Sequence, residues 1–183
     1  MRLFHARGYD AVGVAELGAA LGVKPPSFYA AFGSKAGLFH EALERYQGGE
    51  ANLFSYALAH EGEDASAEAI AAGMLRRAAQ VYPLRDGVAG CLVIDGARNS
   101  ADPEARALTA AIKGEALRRM TSFLRRRYPP AERPGLAERL TAFVNIALAG
   151  MSAAARDGAD RATLEAFAEA SIRAFRREAA GEG

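Results

Sequence analysis

The apolar positions of the chain recur at helical spacing along most of its 183 residues. They return every three to four residues, and no stretch alternates apolar and polar residues convincingly over six positions, as a half-buried strand does. Ala, Leu, Glu and Arg, which favour helices, dominate the composition, while β-branched residues are scattered. The pattern therefore predicts an all-α fold.

Two short helices joined by a tight turn are predicted near the beginning of the chain. Residues 13–22, GVAELGAALG, form an amphipathic repeat that Gly22 can end. Residues 25–32, PPSFYAAF, follow closely, and their prolines fit a first helical turn, where a missing N–H group costs nothing. Helices this short are marginal alone, so tertiary packing must hold them. The spacing predicts a helix-turn-helix unit.

Longer helices are predicted in the rest of the chain. Ser34 can cap a helix that runs to about residue 59, with the Gly48-Gly49 pair as its weak point. Asp102-Pro103 is a strong helix start, and this helix should end near Arg127. Further helices are expected at residues 67–82, 135–156 and 160–177.

The predicted helices divide into two parts near residue 46. Residues 1–46 form a short three-helix module that contains the helix-turn-helix unit, and residues 47–183 form a larger helical bundle. The one ambiguous run, CLVI at 91–94, could be a strand, but its isolation among helices favours a buried helix.

The helix at residues 25–32 has an aromatic face and a face of smaller residues. Phe28 and Phe32 lie four residues apart and share a side that can pack inward. Ser27 and Ala30 then point elsewhere, and a helix with a small outer surface can lie close to base edges in the major groove. The pattern alone fits equally two packed helices whose aromatic residues are ordinary core.

Composition narrows the classes of function without choosing among them. The net charge is +1, and residues 1–47 hold five Lys or Arg against four Asp or Glu, which predicts modest nonspecific affinity for nucleic acid. No apolar run of 18 residues could span a membrane. The single cysteine, Cys91, fits a reducing compartment. A soluble, cytoplasmic protein without membrane contact is expected.

The sequence carries no residue arrangement typical of an enzyme. It contains no Ser/His/Asp set, no paired carboxylates in a catalytic pattern and no glycine-rich phosphate loop. His40, Glu41 and Glu44 lie at helical spacing, but three scattered histidines without a Cys/His cluster do not indicate a metal site. We expect no catalytic activity, no cofactor and no metal.

The stretch LFHARGYDAVGVAELGAALGVKPPSFYAAFGSKAGLFHEAL resembles the DNA-binding region of the tetracycline-repressor (TetR) family of bacterial transcriptional regulators. The resemblance runs from Leu3 to about Tyr46. It combines Phe4 and Gly8, which mark the end of a first helix predicted at residues 1–7 (MRLFHAR), with ALGV, an aromatic pair in the helix at 25–32, and then FGSK. Weaker similarity to the ligand-binding domain of one subgroup appears in GCLVIDGA and in GMSAAARDGADRATLEAFAEASIRAF.

The resemblance implies a recognition helix at residues 25–32 and a set of residues that contact double-stranded operator DNA: Lys24, Pro26, Ser27, Tyr29, Ala30 and Lys35. In this set Tyr29 and Lys35 would bind the phosphate backbone, and Pro26, Ser27 and Ala30 would lie against bases.

This chain departs from the family pattern at three points. Val12 and Gly13 stand where relatives usually carry threonine or serine, so one hydroxyl–phosphate contact is expected to be lost. Ala30 and Ala31 replace larger residues, so direct base readout rests on few groups. Met1 falls inside the first helix, where relatives carry a further turn and a basic arm, so we expect this helix to be truncated in the sequence given.

The last two predicted helices carry more apolar surface than packing on one core requires. The resemblance implies a homodimer through a four-helix interface, and hence a palindromic operator. Deeper burial within one subunit is the alternative. The residues predicted at the dimer interface are Phe143, Ala147, Met151, Leu164, Phe167 and Phe175.

The bundle could also enclose a pocket for a small-molecule effector of unknown identity. Asn145 is the most suggestive residue, because a buried amide among apolar neighbours needs a partner. Cys91 could also sense oxidants, although Arg98 is the one nearby group in sequence that could lower its pKa. For each candidate the alternative is an ordinary core position. The pocket residues proposed are Phe54, Met74, Tyr82, Cys91, Phe123 and Asn145.

The sequence thus predicts a ligand-responsive transcriptional repressor that binds a palindromic operator as a dimer. The alternative is a helical small-molecule-binding or protein-interaction module that does not bind DNA. Retained ligand binding without DNA affinity at low salt would favour this alternative.

Overall fold

The computed structural model describes residues 1–49, 52–84 and 87–181, and these residues form ten helices. The all-α prediction is confirmed. In chain order the helices are α1 (Arg2–Arg7), α2 (Val14–Leu21), α3 (Pro25–Phe32), α4 (Lys35–Gln47), α5 (Leu53–Glu61), α6 (Ala67–Val81), α7 (Leu92–Asp95), α8 (Pro103–Arg127), α9 (Leu136–Arg156) and α10 (Arg161–Ala180).

The helix ends lie where the local sequence signals predict them. Gly22 ends α2 in the left-handed conformation, with φ of 69°, which glycine adopts without strain. The Ser34 hydroxyl accepts a hydrogen bond from the Gly37 backbone N–H and so caps α4. Asp102 caps α8 in the same way, ahead of a proline in the first turn.

Two details of the predicted helices are settled by the structure. The prediction of one continuous helix from Ser34 to about residue 59 is wrong, because α4 ends at Gln47 and α5 begins at Leu53. The Gly48-Gly49 pair, with its low helix propensity, lies in this break. Most of the run CLVI is helical, as expected: Cys91 is the extended N-cap residue, and Leu92 begins the short α7 (Leu92–Asp95).

The bundle is built around α6, which packs against α5, α9 and α10. Helix α8 packs against α9 and also reaches α4, so it contacts both parts of the molecule. The buried residues form one continuous core that runs from Phe4 in the module to Phe175 in the bundle. The module is therefore packed onto the bundle and shares its core.

The described ranges contain neither a helix long and apolar enough to span a bilayer nor three His, Cys, Asp or Glu side chains grouped to hold a metal ion.

Candidate nucleic-acid interface

The outer face of α3 exposes small side chains between larger polar ones. Lys24, the N-cap residue, is exposed, and so are Pro26, Ser27 and Ala30. Tyr29 is 51% exposed although it is aromatic. A helix with this outer face can approach base edges closely, and a lysine and a phenol are groups that can bind DNA phosphates.

The inner face of α3 is fixed by aromatic packing. Phe28 is fully buried, and its ring centroid lies 5.2 Å from that of Phe32. Phe4 and Leu17 are buried in the same core. Leu21, the last residue of α2, lies outside this core, and its side chain is exposed.

Lys35 lies at the first position of α4, beside the end of α3, and is half-buried. Its Nζ lies 4.1 Å from the centroid of the Tyr9 ring, a cation–π contact. The Tyr9 hydroxyl donates a hydrogen bond of 2.7 Å to Asp102, the cap of α8. The position of Lys35 is therefore tied to the start of α8. Sequence reasoning missed Tyr9, because its partner lies 93 residues away.

Further hydrogen bonds join the module to the bundle. The Asp10 carboxylate accepts hydrogen bonds from the Ser100 hydroxyl and the Ala101 backbone N–H, and these bonds lower the pKa of Asp10. The His5 ring lies 3.0 Å from the Gly90 carbonyl oxygen. We call this set of contacts, together with the Tyr9–Asp102 bond, the junction.

A second exposed surface lies on the last two helices. Ile146 on α9 is 69% exposed and Phe167 on α10 is 46% exposed, and half-buried Phe143 lies beside them. The groove between them encloses about 420 Å³ and is otherwise lined by Ala147, Gly150, Ala170, Ser171 and Ala174. We call this surface the α9–α10 face.

Of the six residues predicted at the dimer interface, three lie on the α9–α10 face and three lie in the core. Phe143, Ala147 and Phe167 line the α9–α10 face. The other three are buried in the core of the protomer itself, so their assignment to a partner surface is wrong: Met151, Leu164 and Phe175. Helices α9 and α10 pack against α6 as well as each other, and this packing buries one side of each. Sequence reasoning missed Ile146.

The residues predicted to line a pocket are also divided. Phe54 and Phe123 lie at the base of an open cleft between α5 and α8 that encloses about 860 Å³. Asn145 was proposed as a buried amide, but this is wrong, because its side chain is exposed on α9 and can bond to water. The remaining three are core residues: Met74, Tyr82 and Cys91.

Cys91 is held in a closed environment next to α7. Its backbone N–H donates to the Ser152 hydroxyl at 2.8 Å, and the Tyr46 and Tyr82 hydroxyls bond to its thiol. Burial raises the pKa of the thiol, which keeps it protonated and slow to react with oxidants. These surroundings do not support the suggested oxidant sensing.

The chain is similar to known regulators over most of its length. Residues 1–42 match the family model described as bacterial regulatory proteins, tetR family. The HTH-type transcriptional repressor BdcR of Escherichia coli (strain K12) is 39% identical over 156 residues, which cover 85% of this chain and 75% of BdcR. The HTH-type transcriptional repressor ComR of the same strain is 31% identical over 94% of this chain and 83% of ComR.

Solved structures agree in fold. A cysteine mutant of the TetR family transcriptional regulator CifR, complexed with 26-bp double-strand operator DNA, superposes with a TM-score of 0.79. It is 33% identical, over 93% of this chain and 90% of CifR. SCO4454, a TetR-family regulator from Streptomyces coelicolor, shares the fold with a TM-score of 0.69 at 18% identity, over 97% of this chain and 89% of its own. The chain belongs to the tetR family of bacterial regulatory proteins.

Proposed function

We propose that this protein is a transcriptional repressor that binds double-stranded operator DNA through α3. The observation that carries the proposal is the exposed outer face of α3, where Ser27 and Ala30 lie beside Lys24 and Tyr29. Relatives of high coverage are named transcriptional repressors, and the CifR structure contains operator DNA. Chromosomal operators would place its action in the cytoplasm.

The repressor acts as a homodimer through the α9–α10 face. An exposed apolar groove with small residues around it is suited to a matching groove on a second copy, because two-fold symmetry brings the same patch together. A two-fold dimer presents two α3 helices to one side of the duplex. Successive half-sites lie about 34–36 Å apart, or at a wider spacing if the operator bends.

A small-molecule effector controls the repressor through α8. The N-terminus of α8 holds the junction through Asp102, and its C-terminal half lines the open cleft. A ligand that moves α8 would shift the module that carries α3. A coupling free energy of about 1–3 kcal/mol would change operator affinity by a factor of roughly 5 to 150.

Fluorescence anisotropy with labelled duplexes tests the proposal. The duplexes are palindromic segments from upstream of the protein's own gene and scrambled versions of the same length. At physiological salt we expect the palindrome to bind at least about 1,000-fold more tightly, with two protomers per duplex. Equal affinity for both duplexes would contradict the proposal. Ligand binding with no DNA affinity at low salt would indicate instead a module that binds small molecules or proteins.

A further inference from the structure

The cleft between α5 and α8 has an aromatic base. Phe54 of α5 and Phe123 of α8 meet edge to face, with ring centroids 5.8 Å apart. Both rings are largely buried, and the half-buried Leu58 lies beside them. The enclosed volume of about 860 Å³ lies within the range of small-molecule sites. The Arg127 guanidinium covers Phe123, 3.6 Å from its ring centroid, so Phe54 and Leu58 supply the apolar surface at the base of the cleft.

One wall of the cleft is cationic because of the residue spacing along α8. Arg119, Phe123 and Arg126 are separated by four and three residues, so they lie on one side of the helix. The Arg119 guanidinium lies 5.4 Å from the Phe54 centroid, and the Arg126 guanidinium lies 5.9 Å from the Phe123 centroid. Both cations thus flank the aromatic base.

The cations of this wall differ in their partners. Arg118 forms an ion pair of 2.7 Å with Glu115. Arg127 donates to the backbone carbonyls of Glu63 and Ala65. Within the described parts of the chain, Arg119 makes no ion pair, and Arg126 has weak hydrogen bonds of 3.4 Å to Ser122. Arg119 and Arg126 therefore remain available for an anionic group.

Carboxylates in the same lining limit how much negative charge the cleft can hold. Glu63 and Asp64 are exposed there, in the segment between α5 and α6. The described lining contains four arginines (118, 119, 126 and 127) against three carboxylates (63, 64 and 115), a difference of one positive charge. A dianion such as a phosphate monoester would be repelled by these carboxylates, whereas a single carboxylate can approach the arginine wall.

We propose that this cleft binds an amphipathic carboxylic acid, with its apolar body on Phe54 and Leu58 and its carboxylate between Arg119 and Arg126. The inference builds on the proposed function, since such a molecule would be the effector that acts on α8. Guanidinium groups bind a carboxylate through paired, charge-assisted hydrogen bonds, which gives these two arginines the main role in selecting the acid.

The test compares 2-naphthylacetate with its neutral analogue 2-naphthylacetamide, its cationic analogue 2-(2-naphthyl)ethylamine and the dianion 2-naphthyl phosphate. Binding to the full chain without DNA is measured by isothermal titration calorimetry. We expect the acid to bind roughly tenfold more tightly than the amide, and the amine and the phosphate to bind more weakly than the acid. Each of the variants Arg119→Gln and Arg126→Gln should weaken binding of the acid about tenfold and leave the amide unchanged.

Arg125→Gln is the matched control, because Arg125 is a neighbour on α8 that pairs with Glu138 and does not line the cleft. It should bind the acid like the wild type. Any of four results would overturn the proposal. The acid and the amide could bind equally, or the amine or the phosphate could bind more tightly than the acid. Arg125→Gln could weaken acid binding as much as the other two variants, or the acid could show no saturable binding up to about 10 mM. DNA binding is measured separately: acid binding without operator binding supports this inference and rejects the repressor function, whereas operator binding without acid binding rejects the inference alone.

Discussion

The outer face of α3 and the α9–α10 face both expose large side chains, but their surroundings differ. On α3, Tyr29 stands beside Ser27 and Ala30, with the exposed Lys24 just before the helix and the half-buried Lys35 just beyond it. On α9 and α10, Ile146 and Phe167 border a groove whose described lining contains no charged side chain.

This difference indicates two kinds of partner. Cations and hydroxyl groups around a small outer surface suit DNA, whose phosphates need charge and whose base edges need close approach. An uncharged apolar groove suits a surface that excludes water, as a second copy of the same groove does. The two proposals therefore rest on different physical properties of the same chain and can be separated by mutation.

The largest effect is expected from placing charge in the α9–α10 face. The double variant Ile146→Glu, Phe167→Glu would bury two pairs of like charges between copies, so sedimentation should show a monomer. Operator affinity should then fall about 100-fold, because each half-site is held by an unlinked module. Leu84→Glu is the control, since Leu84 is also 69% exposed but lies outside this face. A variant that stays dimeric would assign the interface elsewhere.

A large loss of stability is expected when the inner side of α3 is removed. Phe28→Ala leaves a cavity in the small core of the module, and the free energy of unfolding should fall by about 3–5 kcal/mol in urea titrations. Tyr29→Ala, one residue further along and exposed, should cost less than about 1 kcal/mol. If both substitutions cost the same, the division of α3 into an inner and an outer face is incorrect.

Removing the phosphate contacts predicted for Lys35 and Tyr29 should have a moderate effect on DNA affinity. Lys35→Ala should weaken binding to every DNA sequence roughly 3- to 10-fold and reduce the salt dependence by about one unit of slope. Tyr29→Phe should weaken binding in the same sequence-independent way, by a smaller factor. Lys113→Ala, on α8 outside the module, serves as the charge-matched control in the anisotropy titrations. Specific loss on the palindrome alone would contradict a backbone role.

The smallest effect is a pH dependence of stability that arises at the junction between the module and the bundle. Burial lowers the pKa of His5 from 6.5, and the Arg156 charge adds to this, although the bond to Gly90 opposes it. As pH falls, the unfolded chain therefore takes up the proton first. The contribution of His5 to the stability of the fold is fully present above pH 6.5. It is lost as the pH falls from 6.5 to the pKa of His5 in the folded state. Urea titrations between these limits should show a small decline in the free energy of unfolding of the wild type. An identical decline in His5→Gln would contradict this assignment.

The module could be predicted from sequence because its signals are local. A left-handed glycine at position 22, the Ser34 cap and the prolines of α3 each act within a few residues. The same holds for Asp102 at the start of α8. Contacts between distant segments leave no such local signal, and for this reason the link from Tyr9 to Asp102 was missed.

The faces of the long helices could not be predicted, because α9 and α10 are apolar over more than one side. A helix that packs on two partners shows no single stripe, so the sequence does not distinguish core positions from an exposed groove. In the structure Met151 and Leu164 are core residues and Ile146 is exposed, although the sequence pattern treats all three alike. The cleft was missed as a charged site for a related reason: its arginines are indistinguishable in sequence from ordinary solvated residues on α8.

Selection of duplexes from a random pool tests most directly whether α3 reads DNA sequence. Wild-type protein should enrich an inverted repeat. Ser27→Asn should enrich a repeat altered at symmetric positions in both halves, while its affinity for random DNA stays the same. Enrichment of no inverted repeat by the wild type would contradict the account. So would a Ser27 variant that enriches the same sequence and binds all DNA more weakly.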